Sequence, residues 1–222
     1  MAFRNWQEHF PEIEIWSVHL PGRESRMGDP PFTDMDSLME VLVPLVADHA
    51  DGPFSIFGHS MGAMVAFELT RRLEAVDTVR PDQLFVSGHG APSSPAKASK
   101  SHLLPHDEFV ERIRKFDGTP EEVFEHKELL EIFIPLLRAD ITLLENYQRD
   151  AHAQVDCPIV ALGGRNDREV AVNTLDDWQA HTCAEFEKHV FDGGHFYWQS
   201  MPQPMLSVIN AQMMAQDRPT PR

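Results

Sequence analysis

The chain has 222 residues, of which 42% are hydrophobic and 24% charged. That fits one sizeable α/β domain and leaves too little chain for two. Its 35 acidic and 19 basic residues give a formal net charge of -16, which excludes the basic face of a general nucleic-acid binder. No apolar run is long enough to span a bilayer, and no charged-then-apolar leader opens the chain. Cys157 and Cys183 are too few for a disulfide framework, so free thiols and a cytoplasmic location are expected.

In chain order, residues 2–10, AFRNWQEHF, place Phe3, Trp6 and Phe10 on one side of a short helix that Pro11 ends. IEIWSVHL, 13–20, is β-branched and aromatic enough to predict a strand. A proline- and glycine-rich loop follows, and then MDSLMEVLVPLVADH, 35–49, a helix with Leu38, Leu42 and Leu45 on one face that Pro44 is expected to bend or shorten. DGP breaks the chain before FSIF, and QLFVSG (83–88), PIVALGG (158–164) and FEKHVF (186–191) are further strand candidates. Strands that alternate with helices predict a parallel sheet covered on both faces, within a single domain over 1–222.

Residues 97–150 are different. HDEFVERIRKF, PEEVFEH and KELLEIFIPLLRADITLLENYQ are helical in pattern, with no convincing strand. The last is apolar around much of its circumference, which suits either buried core or a lid lining an apolar channel. The tail 217–222 is expected to be disordered. Three cationic groups, Arg71 with Arg72, Lys97 with Lys100, and Arg112 with Arg114 and Lys115, each fit a solvated surface.

Gly58-His59-Ser60-Met61-Gly62 lies between a strand and a helix pattern, the context of a nucleophile elbow. A turn this tight strains the backbone of Ser60, and large side chains two residues to either side would clash. The strain pushes the hydroxyl out at the C-terminal end of the sheet, and the Met61 N–H points at the oxyanion of an acyl transfer. A serine hydroxyl is a weak nucleophile near neutral pH; it needs a base, and the base needs an orienting carboxylate. In the order serine, acid, histidine, His195 follows the last strand in FDGGHFYW, where glycines precede it. Asp167 is the acid expected where the preceding strand gives way to a loop. Glu169 is a lesser competitor, Asp192 is too near His195 in the chain, and Asp156 stands at the wrong end of its strand.

LPGRESR (20–26), FGHSMGA (57–63), LPHDEFVERI (104–113), ELLEIFIPLLRADITLLENY (128–147), GGRNDREV (163–170) and GGHFY (193–197) resemble, in order, segments of the type II (editing) thioesterases of polyketide and nonribosomal peptide synthesis. These are a branch of the α/β-hydrolases, and the resemblance covers residue 2 to about 215. It implies an α/β-hydrolase sheet with a helical lid at about 97–150. The implied substrate is an acyl thioester on the phosphopantetheine arm of an acyl or peptidyl carrier protein, used in antibiotic-type biosynthesis. It implies Ser60 as nucleophile, His195 as base, Asp167 as its partner and the Met61 N–H in the oxyanion hole, with no metal or bound cofactor. A monomer is expected, with no membrane or nucleic-acid partner.

The family begins with a strand and a glycine-rich loop that have no counterpart here, since the chain starts inside the segment AFRNWQEHF. In the family's sheet that strand lies between the strands resembling IEIWSVHL and FSIFGHS, and its loop supplies a second oxyanion N–H. Losing one such donor costs about a hundredfold or more in rate. The expectation is a shortened form of a longer protein; a sheet that closes differently is the other reading. The competing functions are a medium-chain fatty acyl thioesterase, a carboxylesterase with the same triad, and an inactive carrier-binding form.

Overall fold

The computed structural model describes residues 3, 5–76, 79–94, 100–116 and 121–216. Four parallel strands form one sheet in the order β1 (Ser55–His59), β2 (Gln83–Ser87), β3 (Ile159–Gly164) and β4 (Phe186–Phe191). β2 and β3 are buried along their whole length, as strands covered on both faces must be.

Strand alternation divides their side chains between two cores. Leu84, Val86, Ile159 and Ala161 point to one core, with α1 (Met35–His49) and α2 (Met61–Ala75). Phe85, Val160 and Leu162 point to the other, with Trp6, Phe10 and the helix Gln203–Gln216. Phe3, Trp6 and Phe10 do share one cluster, though only Trp6–His9 is helical, as a 3-10 turn.

Residues 13–20 differ from their prediction. They are not a strand: Ile13 and Ile15 pack against the aromatic cluster, whereas Trp16 and Val18 are exposed. A strand exists only with a ladder partner, and among the described residues the outer edge of β1 pairs with no strand. Pro44 does not shorten the helix. α1 runs from Met35 to His49 through the proline, capped by the Asp34 carboxylate on the Ser37 N–H at 2.8 Å. Burial of Leu38, Met39 and Leu42 holds it, whereas Leu45 is exposed despite the predicted stripe.

Between β2 and β3 the described chain is helical: α3 (His106–Arg114), α4 (Glu121–Glu125) and α5 (Lys127–Asn146). Their own small core contains Phe109, Ile113, Phe124 and Ile134. α5 is less uniformly buried than its composition suggests, since Ile132 and Phe133 face solvent. Among the described residues, polar contacts fasten the insertion to the sheet domain, beside the burial of Leu143 in the main core. Tyr147, which ends α5, donates to the buried Glu68 carboxylate of α2 at 2.8 Å, where Arg71 and Arg72 also converge. Arg23 grips both oxygens of Asp140, and Arg112 lies 3.6 Å from Glu169.

The cationic groups are therefore largely neutralised: Arg71 and Arg72 by Glu68, Arg112 by Glu169, and Arg114 by Glu111 and Glu121. Lys97 and the tail 217–222 lie outside the described residues. Among those residues no helix is long and apolar enough to cross a membrane, and no cluster of histidine, cysteine and acidic groups could hold a metal ion.

Candidate active site

Because all four strands are parallel, the loops that leave their C-terminal ends meet at one edge of the sheet. Ser60 follows β1, Asp167 follows β3 and His195 follows β4. Ser60 has φ 55° and ψ -121°, a backbone state that costs a non-glycine residue about 1–3 kcal/mol. The turn is clamped by the Ser60 N–H on the Ser87 carbonyl at 2.7 Å and by the Ala63 N–H on the Ser60 carbonyl at 2.9 Å.

The two flanking glycines are not equivalent. A Cβ on Gly58 would stand 2.0 Å from the Gly62 carbonyl oxygen, whereas one on Gly62 would meet nothing within 4 Å. The expected clash therefore exists on one side only, because the helix start folds over Gly58. α2 begins at Met61, whose N–H is among the first-turn donors that no helical carbonyl can reach.

The three predicted side chains form one hydrogen-bonded line. His195 Nδ1 lies 2.8 Å from Asp167 Oδ2, and His195 Nε2 lies 2.9 Å from Ser60 Oγ. A carboxylate only accepts, so Nδ1–H donates to Asp167 and Nε2 is left to accept the serine proton. The Asp167 and His195 side chains are only 1% and 8% exposed, so this pair is shielded from bulk water.

Asp167 Oδ1 accepts the N–H groups of Glu169 at 2.8 Å and Val170 at 3.1 Å. Burial pushes the Asp167 carboxyl up, but the hydrogen bond and charge of His195, with those two N–H groups, hold it below its usual range. It is the ionised partner a base requires. The rejected acids are engaged elsewhere: Asp192 pairs with Arg165, Asp156 with Arg80 and Glu169 with Arg112.

Glycines let the acid and base loops touch. A Cβ on Gly164 would stand 2.1 Å from the Gly194 carbonyl oxygen and 2.8 Å from that of Gly193. Both neighbours are backbone and cannot swing aside. Gly164→Ala is expected to cost roughly 3 kcal/mol in stability. It should also lower kcat about a hundredfold by separating Asp167 from His195. Thermal unfolding and steady-state kinetics on one preparation check both; unchanged kcat would mean that the loops tolerate separation.

Three further histidines are held uncharged, His59 and His89 half-buried and His181 fully buried. Burial, reinforced by the charge of His195, pushes His59 down to about 3. Burial, with the charges of Arg149 and His195, lowers His89 to about 4. Burial also lowers His181, whose Nε2 accepts the Ser93 N–H at 3.2 Å.

Each folded-state value lies below the ordinary 6.5, so the unfolded chain takes up protons that the folded chain refuses. Their contribution is complete above about pH 6.5. It is lost progressively as the pH falls toward the folded-state values. Glu74 and Asp140, which burial pushes up, act in the opposite sense. The urea midpoint is therefore expected to fall steadily from pH 7 to pH 5; a flat midpoint over that interval would contradict the buried neutral state.

Sequence reasoning did not find Ser87 and Tyr197, which hydrogen-bond beneath the site at 2.8 Å across 110 residues of chain. Nothing local marks either one, because their pairing follows only from the order of β1 and β2 and the helix that follows His195.

A parallel sheet carrying a strained serine turn and two later loops that return a histidine and an aspartate to it defines the class: a serine hydrolase of the α/β-hydrolase type. The family model for the thioesterase domain matches residues 1–213, and the chain belongs to that family. It is 37% identical over 213 residues to the gramicidin S biosynthesis protein GrsT of Aneurinibacillus migulanus, covering 96% of this chain and 83% of that one. It is 38% identical over 196 residues to the thioesterase PikA5 of Streptomyces venezuelae, covering 88% and 69%. Among solved structures, the type II thioesterase BorB from the borrelidin biosynthetic cluster superposes with a TM-score of 0.78 at 36% identity, covering 88% of this chain and 79% of that one.

Proposed function

We propose that this chain hydrolyses acyl thioesters presented on the phosphopantetheine arm of acyl or peptidyl carrier proteins, as an editing or releasing enzyme of polyketide or nonribosomal peptide synthesis. The observation that carries the chemistry is the continuous line from Asp167 through His195 to Ser60. The carrier-bound substrate is supported by the biosynthetic settings printed for GrsT, PikA5 and BorB.

Ser60 Oγ attacks the thioester carbonyl carbon while its proton passes to His195 Nε2. The carbonyl oxygen becomes an oxyanion that the Met61 N–H and the positive start of α2 face. Asp167 stabilises the imidazolium. Collapse breaks the C–S bond, and the His195 proton goes to the leaving sulfur, giving the free thiol and an acyl-Ser60 ester. Water then attacks that ester and gives its proton to His195; collapse returns the proton to Ser60 Oγ and releases the carboxylic acid. The residues of this line supply every proton transfer, and no metal or cofactor enters. The helical insertion, with its partly apolar α5, acts as the lid over the acyl chain.

The test compares one acyl group in three settings: on a carrier protein, on free pantetheine, and as a p-nitrophenyl ester. The expected result is a kcat/KM at least tenfold higher on the carrier than on either small substrate. Equal values for carrier and oxygen ester would make the chain a general esterase. Tight carrier binding without hydrolysis of any substrate would make it a binding form.

A further inference from the structure

His59 stands one residue before Ser60, and the triad leaves it without a role. Its Nδ1 lies 2.9 Å from Ser87 Oγ, which lies 2.8 Å from the Tyr197 hydroxyl. Tyr197 is two residues beyond His195, and its ring stacks on Phe191 at 5.2 Å with 10° between the planes. A line of three polar side chains therefore runs from the strand entering the elbow, across β2, to the helix behind the base.

The ring of His59 lies against that of His195, with centroids 5.0 Å apart and 48° between planes. Phe196 packs on both rings, at 5.2 Å and 4.9 Å. Both rings also lean over one residue, Gly88, at φ +61°. A Cβ there would stand 2.7 Å from His59 Cε1 and 3.3 Å from His195 Cε1, so no larger residue lets both rings keep their places. Tyr197 and Ser87 are buried, and each hydroxyl has its partner within this line.

A histidine used only as packing would not need a two-hydroxyl tether. The tether holds a ring that lies tilted against the base, beside Phe196. The two hydrogen bonds of His195 hold its ring in its own plane; tilt out of that plane is resisted by what packs against its faces. That ring also stays uncharged, since burial and the neighbouring base push it to about 3, so the imidazolium formed during acyl transfer meets no second cation.

We propose that His59 is a positioning residue for the base: an imidazole pinned by the Ser87–Tyr197 hydroxyl pair that sets the tilt of the His195 ring between Asp167 and Ser60. The inference rests on the proposed role of His195 as base. Small misplacements of a reacting group cost rate and leave ground-state binding intact.

The test uses Tyr197→Phe, His59→Phe and the double variant, none of which removes a hydrogen bond of His195. Each single change is expected to lower kcat about tenfold with KM within twofold. The double variant should lose no more than His59→Phe, because both remove the same tether. Proton NMR supplies a reading that needs no substrate. The far-downfield resonance of the His195 Nδ1–H held by Asp167 should shift or broaden in both single variants.

Folded variants with unchanged kcat and an unchanged resonance would overturn the proposal. So would additive losses, or a lowered melting temperature with kcat intact at temperatures where the variants remain folded. If wild-type protein shows the resonance but no Ser60-dependent turnover, the proposed function fails, and the resonance in the variants still decides the positioning role.

Discussion

Replacing Ser60 with alanine will lower kcat for acyl thioester hydrolysis by about 10⁶. Among the described residues the side chain of Ser60 makes one hydrogen bond, to His195 Nε2, and caps nothing in α2. Its removal therefore takes the nucleophile and little of the fold. The elbow is clamped by backbone groups of Ser60, Ala63 and Ser87, which alanine retains, so the melting temperature is expected to stay within a few degrees of wild type. Quenched-flow detection of the acyl-enzyme beside steady-state turnover checks the prediction: the variant should form no covalent adduct. Turnover that survives in the variant would remove Ser60 from the mechanism.

The second large effect is subtler, because Asp167→Asn changes one atom and no volume. Asp167 Oδ1 is held by the N–H groups of Glu169 and Val170, so the asparagine oxygen must stay with those donors. That turns the amide NH₂ toward His195 Nδ1. Two donors cannot face each other, so Nδ1 becomes the acceptor and the imidazole proton moves to Nε2, against Ser60 Oγ. In that tautomer the base cannot take the serine proton, and a loss of about 10⁴ in kcat is expected with the geometry otherwise intact. A loss under tenfold would mean that another carboxylate orients His195. Neither Glu169 nor Asp192 is placed to do so, since each is engaged with an arginine.

The two changes separate roles that a single inactive variant would merge. Ser60→Ala should abolish the acyl-enzyme. Asp167→Asn should still form it, slowly, and at a rate that follows the fraction of His195 able to accept a proton.

Much of this protein follows from its residues alone. Glycine at 58 before a serine, with a strand in front and a helix behind, is a local constraint, and local sterics are written in local sequence. The strands 83–88 and 158–164 were legible because fully buried parallel strands are short apolar or β-branched runs with glycine or turn residues beside them, and 186–191, a half-buried edge strand, through its Phe and Val residues before a glycine turn. The helices of the insertion were legible through their spacing, and Asp167 and His195 through their places just past the ends of strands.

What the tertiary structure decided concerns partners. Residues 13–20 have the composition of a strand, yet pairing requires a second strand alongside, which no property of the segment itself supplies. Leu45 lies on the predicted apolar stripe and is exposed, because the face of α1 that meets the core runs through Leu38, Met39, Leu42 and Val46 and leaves Leu45 beside it. Pro44 sits inside a helix that its own chemistry opposes, since burial on three neighbouring residues outweighs one lost hydrogen bond. The tether of His59, Ser87 and Tyr197 joins positions 28 and 110 residues apart and has no local signature. Sequence determined which groups can do chemistry, because reactivity and turn sterics belong to single residues and their neighbours. Only the fold decided which of those groups are held, kept uncharged and aimed, because burial and hydrogen bonding are properties of distant chain brought into contact.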